Sequence, residues 1–585
     1  MKTARNLLLG GFTLLLLAAC QLTNAEPTAT ATPQDTPTLA PTATTVPTDT
    51  PEPTVAASPT STGFPPVTAV PTPVELGEPW WNDTVFYEVF VRSFADSDGD
   101  GIGDLNGLIE NLDYLNDGDP ATTDDLGITG LWLMPITTSP SYHGYDVTDY
   151  FNVDPDYGSN DDFIRLMDEA HQRGIHVVVD LVMNHTSSQH PWFVASKADD
   201  PEYRDWYVWV SQHPGYSGPW NEQVWNRVGD AYYYSVFWSG MPDLNLRNPK
   251  VTAELYEVVR FWLEDLQVDG FRLDAIKHLI EDGRVQENTP ETHAWLGEFH
   301  NFYKDLDPNV FTVGEAWTST DEVLDYTGDE VDIAFAFDLA EAFLQSAKGP
   351  VGFPASRVLS QIVESYPPGQ YATFLTNHDQ DRSMSQLREV SKVKLASLML
   401  LTSPGVPFLY YGEEIGMSGA KPDEDIRRPM QWNSEAPGAG FTSGTPWHDP
   451  APDFREVNVA VQTADPDSLL AHYRTLIQLR GQFAALRTGN WMLVGSGSPQ
   501  VYAYLRYTDD ETILVMMNLG EDEVFAGTYG LTLEAGPLTG PVEARSLWGL
   551  ENPTSPEVTT QGGFSNYKPF DALPRQSFAV IQLQH

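Results

Sequence analysis

Short apolar runs recur along the chain from about Trp80, and stretches with helical spacing lie between them. VFYEVFVRSF (85–94), GITGLWLMPI (127–136), HVVVDLVMNH (176–185) and GFRLDAIKH (270–278) read as buried strands. FTVGEAW (311–317), IAFAFDL (333–339), YATFLTNHD (371–379) and VPFLYYGEEIG (406–416) continue the series. DDFIRLMDEAHQRG (161–174) and VTAELYEVVRFWLEDL (251–266) carry the apolar spacing of amphipathic helices. Eight strands alternating with helices predict an α/β fold, a (β/α)8 TIM barrel over residues 78–485. In such a barrel the working residues stand at the C-terminal ends of the strands. Asn184 and His185 end the third run, Asp274 sits near the end of the fourth, Glu315 closes the fifth and Asp379 the seventh.

Two departures from the alternation mark further units. Residues 186–245 are rich in Trp and Tyr and too long for an ordinary connection, which predicts a subdomain inserted after the third strand. From residue 486 to 585 the pattern becomes short alternating strands with Gly and Pro turns (VYAYLRY, TILVMMNL, FAVIQL), predicting an antiparallel β-sandwich.

The first 77 residues carry no such pattern. Lys2 and Arg5, an apolar run from Leu7 to Leu17 and LAAC ending at Cys20 read as a secretory signal. The ending resembles a bacterial lipoprotein box, in which Cys20 would be the lipidated first residue; the alternative is an ordinary signal peptide with an incidental cysteine. Cys20 is the only cysteine in 585 residues, so no intrachain disulfide can form. Residues 21–77 are Thr, Pro and Ala with almost no aromatics, a composition that cannot bury enough apolar surface to order itself. A disordered tether is expected, holding an extracellular domain at a membrane reached only through the lipid.

Composition narrows the class of partner. A formal charge of −50 argues against nucleic acid and against an electrostatic grip on anionic lipid. It is compatible with a neutral substrate. The 16 Trp and 25 Tyr suit stacking on sugar faces, although most such rings serve the core.

In GFRLDAIKH, Arg272 and Asp274 stand two apart on a strand and so point to one side. A guanidinium beside a carboxylate favours its charged form, which a covalent nucleophile requires. On this stretch alone a structural ion pair is an equal reading.

Together with DLVMNH (180–185), GEAW (314–317) and FLTNHD (374–379), in that order, GFRLDAIKH resembles the motifs of the α-amylase superfamily of retaining glycoside hydrolases. MPDLN (241–245) and YHGYDVTDY (142–150) match as well. The resemblance implies Asp274 as nucleophile, Glu315 as general acid/base and Asp379 as transition-state stabiliser. It implies that Arg272, His143, His185 and His378 hold the sugar next to the cleaved bond, with Tyr145 stacked beneath it. Lys277 and His278 would lie on the leaving-group side. Retention needs one carboxylate to attack and one protonated carboxyl to donate, about 5 to 5.5 Å apart. Neighbouring carboxylates and burial should raise the pKa of Glu315.

ADSDGDGIGDL (95–105) places Asp96, Asp98, Asp100 and Asp104 on a Gly-bent loop. Such a loop is an oxygen cage for calcium or a solvated acidic turn. Gly107 stands where an EF-hand would place its bidentate Glu, so the loop more closely resembles the metal loop of several superfamily members, with Ile102 contributing its carbonyl. A second calcium at Asn184, Asp243 and the carbonyl of His278 is expected only by resemblance to amylases.

Within the superfamily, Ala275 after Asp274, the Lys277-His278 pair and Tyr142 favour an α-amylase cutting internal α-1,4 bonds of starch. Exo-acting α-glucosidase, oligo-1,6-glucosidase and maltodextrin-active transglycosylase are the alternatives, and a glycan-binding surface lipoprotein is the non-enzyme one. A monomer is expected.

Overall fold

Eight parallel strands close into a barrel in a computed structural model that describes residues 79–584. The signal segment with Cys20 and the Thr/Pro-rich tether lie outside the described residues. The strands are β1 (Phe86–Val89), β2 (Gly130–Leu133), β3 (His176–Leu181), β4 (Gly270–Leu273), β5 (Phe311–Gly314), β6 (Ile333–Phe335), β7 (Tyr371–Thr373) and β8 (Val406–Tyr410). Each pairs with its sequence neighbours, and β8 pairs with β1.

Alternation along the strands sorts their side chains. Phe86, Trp132, Val178, Phe311, Ile333, Phe335 and Phe408 fill the barrel interior. Tyr87, Leu131, Val177, Phe271 and Leu409 face the layer beneath the helices. Phe86 stacks on Phe408 with ring centroids 4.5 Å apart. Each fully buried ring of this kind contributes on the order of 2–3 kcal/mol. Two residues further along three of these strands the inward position becomes charged: Glu88 follows Phe86, Asp180 follows Val178 and Arg272 follows Gly270. The floor of the barrel is therefore apolar and its mouth is ionic.

The helix at Asn160–Gln172 buries Phe163, Leu166, Met167 and Ala170, one face at the 3–4 spacing read from the sequence. Ser159 and Asp162 form a capping box at its start, and Gly174, at φ +72°, lets the chain turn back into β3. The second expected helix runs Pro249–Arg260 and continues as a π-helical turn, Phe261–Asp265. There Trp262 is buried and its indole N–H donates to the Tyr150 carbonyl at 2.9 Å.

Several strands are shorter than their apolar runs. β1 stops at Val89 and Val91–Phe94 is a helical turn; β6 stops at Phe335 and Phe337–Lys348 is a helix; β7 stops at Thr373, six residues before Asp379. The runs continue because the loops at the mouth pass back through the core: Phe90, Val91, Phe94, Phe374 and Leu375 are all buried.

The insertion after β3 is present. It forms a three-stranded antiparallel sheet of Trp209–Val210, Ala231–Tyr234 and Trp225–Val228, joined to the barrel mouth where His185 pairs with Asp243. At the C-terminal end, β9 (Asn490–Val494), β10 (Val501–Tyr507), β11 (Thr512–Asn518), β12 (Glu543–Gly549) and β13 (Phe578–Gln584) form an antiparallel sheet in the order β9-β10-β11-β13-β12. Tyr502 and Tyr504 of β10 pack with the barrel core, whereas Val501, Ala503 and Leu505 pack with Leu531, Leu533 and Phe564 of a smaller two-stranded sheet. Period-two alternation thus buries both faces.

Candidate active site

Strand ends β3, β4, β5 and β7 bring the polar residues singled out above to one cleft of about 700 Å³. His143, Tyr145, His185, Asp274, Lys277, His278, Glu315 and Asp379 line it. Arg272 and His378 lie beneath, each 1 % exposed.

Arg272 is the electrostatic centre. Its Nη1 donates to Asp274 Oδ1 at 2.7 Å and to Asp180 Oδ1 and Oδ2 at 2.8 and 3.0 Å, while Nη2 donates to Glu315 Oε2 at 2.6 Å. One positive charge serves three carboxyl groups, so they cannot all ionise cheaply. Burial raises the pKa of Glu315, with Asp274 and Asp379 adding to the effect and Arg272 opposing it. Burial likewise pushes Asp180 up to about 7 against Arg272. Asp274 is raised as well: its burial outweighs Arg272, although the sequence points to an ion pair that holds it low.

The backbone after β4 tightens the arrangement. Ala275 adopts the left-handed region at φ +49°, ψ 38°, a conformation that costs a residue with a Cβ roughly 1–2 kcal/mol. In that turn its N–H donates to Glu315 Oε2 at 3.1 Å, and the Ile276 N–H donates to the Glu315 carbonyl at 3.1 Å. The strain fixes the Glu315 carboxyl beside Asp274.

Asp379 behaves oppositely. Burial opposes its charge, but His378 and Arg427 outweigh that and hold it well below the usual carboxylate range. Arg427 Nη2 donates to Asp379 Oδ1 at 2.9 Å. His378 stands between Asp379 (3.3 Å) and Glu88 (2.6 Å). Burial disfavours its charge, yet Asp379 and Glu88 push it up to about 9, so it is an imidazolium. Tyr145 stacks on His378 with centroids 5.5 Å apart, and its hydroxyl donates to Asp180 Oδ2 at 3.0 Å.

His185 is neutral, since burial pushes it down to about 4, and its Nε2 has no partner among the described residues. His143 accepts the Tyr145 N–H at Nδ1, and burial lowers its pKa too. Lys277 Nζ donates to Glu287 Oε2 at 2.7 Å and to the Trp317 carbonyl at 2.9 Å. His278 is buried, with Nδ1 2.8 Å from the Gln286 carbonyl. Tyr142 is not in the cleft wall; it stacks on Trp447 at 5.4 Å.

The cleft also contains residues that sequence reasoning missed. Asp180, Glu88 and Arg427 hold the charges described above. Trp220 and Trp238 of the inserted subdomain and Trp317 after β5 are about half exposed at the cleft wall, at 58 %, 53 % and 47 %. A charged residue inside an apolar strand was the available signal for Glu88 and Asp180; Arg427 had none.

Of the acidic loop, Asp96, Asp98 and Asp104 each bring a carboxylate oxygen within 4.8 Å of the others. Asp100 Oδ1 instead accepts the Ile102 N–H at 2.7 Å. Three hard oxygens on a loop tied by Gly99 and Gly101 N–H groups to Asp96 fit a calcium-type cation. Asn184 Oδ1 has no partner, and burial raises the pKa of Asp243 well above its ordinary value.

The family profile "Alpha amylase, catalytic domain" matches residues 88–489. Alpha-amylase 3 of Dictyoglomus thermophilum is 40 % identical over 454 residues, covering 76 % of this chain and 86 % of that protein. A trehalose synthase/amylase of Mycobacterium tuberculosis is 36 % identical over 502 residues, covering 75 % and 82 %. The crystal structure of an alpha-amylase from H. orenii superimposes with a TM-score of 0.75 at 39 % identity, covering 86 % of this chain and 99 % of that one. With an eight-stranded barrel and a charged mouth at the matched residues, the chain belongs to the α-amylase family of glycoside hydrolases.

Proposed function

We propose that the protein is an endo-acting α-amylase that hydrolyses internal α-1,4 bonds of starch and maltodextrins with retention of configuration. The observation that carries the chemistry is the single guanidinium of Arg272 bonded to both Asp274 and Glu315. It supports the close carboxyl pair, about 5 to 5.5 Å apart, of a retaining enzyme.

In the first step Asp274, its charged form favoured by the bond from Arg272, attacks the anomeric carbon while Glu315, whose burial favours the protonated form, gives its proton to the departing glycosidic oxygen. A glycosyl ester on Asp274 results. Glu315, now ionised, takes a proton from water, which attacks the same carbon and releases Asp274. Asp379, kept anionic by His378 and Arg427, accepts hydrogen bonds from ring hydroxyls and favours the positive charge that builds on the sugar. His185 Nε2, at the cleft wall and without a partner among the described residues, is free to bond the same sugar, while His378 beneath it holds Asp379 and Tyr145 in place and Tyr145 offers its ring as the stacking surface.

Endo action draws support from the half-exposed Trp220, Trp238 and Trp317, which give a polymer stacking surfaces along the wall of the cleft. A maltoheptaoside blocked at its non-reducing end tests it: cleavage is expected, and an intact substrate would move the assignment to an exo-acting α-glucosidase. Transglycosylation is the second reading, favoured by the trehalose synthase/amylase relative; disaccharide products from maltose would reveal it.

Calcium held by Asp96, Asp98 and Asp104 fits a stabilising role at the loop after β1. The LAAC sequence supports an extracellular, lipid-anchored location. Cys20→Ser should release the protein from the membrane fraction, and unchanged membrane retention would refute the anchor.

A further inference from the structure

The chain leaving His278 doubles back at Asp282 and Val285, whose backbone groups exchange hydrogen bonds at 2.8 and 3.0 Å. That turn lays Gln286 against His278 and buries it, although glutamine is mostly a surface residue. A buried amide is tolerable only when its polar atoms are paired, and those of Gln286 are paired with separate parts of the fold. Nε2 donates to the Ser217 carbonyl at 3.0 Å. Oε1 accepts from the Tyr234 hydroxyl at 2.8 Å, at the end of the inserted-sheet strand Ala231–Tyr234. The backbone carbonyl lies 2.8 Å from His278 Nδ1.

Each partner controls a ring at the cleft. Ser217 leads into a tight turn closed by the Gly218 N–H on the Glu222 carbonyl at 3.0 Å, and Trp220 stands on that turn. Tyr234 leads three residues on to Phe237. Trp220 stacks on Phe237 at 5.8 Å and meets the His278 ring edge-on at 5.4 Å. All three rings line the cleft, whereas Gln286 does not. A carbonyl only accepts, so His278 carries its proton on Nδ1 and presents Nε2 as an acceptor, burial lowering its pKa. No hydrogen bond of Gln286 reaches Asp274, Glu315 or Asp379.

We propose that Gln286 is a positioning residue for substrate length: it holds Trp220, Phe237 and His278 as one surface that grips a long α-glucan beyond the cleaved bond. The identity of the sugar rests on the hydrolase reading above. Gln286 acts through the rings, so its loss should weaken binding of a chain long enough to reach Trp220 and leave the chemical step alone.

The test compares maltoheptaose with maltotriose in the full chain. Gln286→Leu keeps the backbone carbonyl and removes both side-chain bonds. KM for maltoheptaose should rise about tenfold with kcat within about twofold, while kcat/KM for maltotriose is unchanged. Tyr234→Phe, a milder change that keeps the ring, should shift KM the same way by about threefold, the loss of one neutral hydrogen bond. Both substitutions lower the melting temperature; the dependence on chain length is what a purely structural role would not produce. Adding Gln286→Leu to Trp220→Ala should cost nothing further, because the ring it holds is gone. Equal losses on the two sugars, or losses that add in the double variant, would overturn the proposal and leave the hydrolase reading intact. Calorimetry of maltoheptaose binding to the chain carrying Glu315→Gln reads the same difference without turnover. A native enzyme that cuts no α-glucan would overturn the hydrolase reading, and an affinity for maltoheptaose that still falls about tenfold with Gln286→Leu would leave the positioning role standing.

Discussion

Arg272 holds Asp274 and Glu315 from two nitrogens of one guanidinium, at 2.7 and 2.6 Å, with Asp180 bonded to the same Nη1. The planar fork is what allows one residue to space two carboxyl groups, and a lysine ammonium offers no equivalent geometry. Arg272→Lys should therefore lower kcat at least about a hundredfold. It should also lower the melting temperature, because Asp180 is left buried with poor pairing, a loss of about 3–5 kcal/mol in comparable buried pairs. Retention of a tenth of the activity would show that the fork does not set the spacing.

The three carboxyl groups have distinct environments and should fail in distinct ways. Asp274→Asn, Glu315→Gln and Asp379→Asn should each fold and lose several orders of magnitude in starch hydrolysis, with non-additive double mutants. Glu315→Gln alone should recover part of its first-step rate on an aryl glycoside whose leaving group departs without a proton. Equal losses on starch and on the aryl glycoside would remove Glu315 from the acid role.

His378 couples stability to alkaline pH. Its folded pKa of about 9 lies above its ordinary value of about 6.5. Its charge therefore stabilises the fold fully below about pH 6.5, and that stabilisation, of order 3 kcal/mol, is lost as pH rises through about 9. Glu88→Gln removes one of the two partners that raise this pKa. Melting temperatures measured from pH 6 to 10 should fall less steeply in the variant than in the native protein. Parallel curves would mean that His378 is not the titrating group.

Chelation of calcium should lower the melting temperature, since an ion bound only by the folded loop stabilises it by mass action. Asp98→Ala removes one of the three gathered carboxylates from an exposed position and should abolish the chelator-sensitive part. Identical melting with and without chelator would leave the loop a solvated acidic turn.

Much of this site was legible in the sequence because strand alternation is local. Arg272 and Asp274, two apart, had to share a side, and the strand-end positions of Glu315 and Asp379 followed from a barrel whose mouth collects strand ends. What was not legible depends on residues far apart in the chain. Glu88 reaches His378 from β1, one strand removed from β7, Arg427 reaches Asp379 from a loop beyond β8, and Arg272 is shared with Asp180 of the neighbouring strand. Burial changes the sign for Asp274: the Arg272 ion pair lowers its pKa, but desolvation at the barrel mouth outweighs it. Strand lengths were overestimated for a related reason, because loop residues such as Phe90 and Phe374 are as buried as the strands they follow.

The central claim is a double displacement through Asp274, and the configuration of the first-formed product tests it most directly. Proton NMR of maltooligosaccharide hydrolysis, recorded before mutarotation, should show the new reducing end as the α-anomer. Initial appearance of the β-anomer would mean a single displacement by water and would contradict the account.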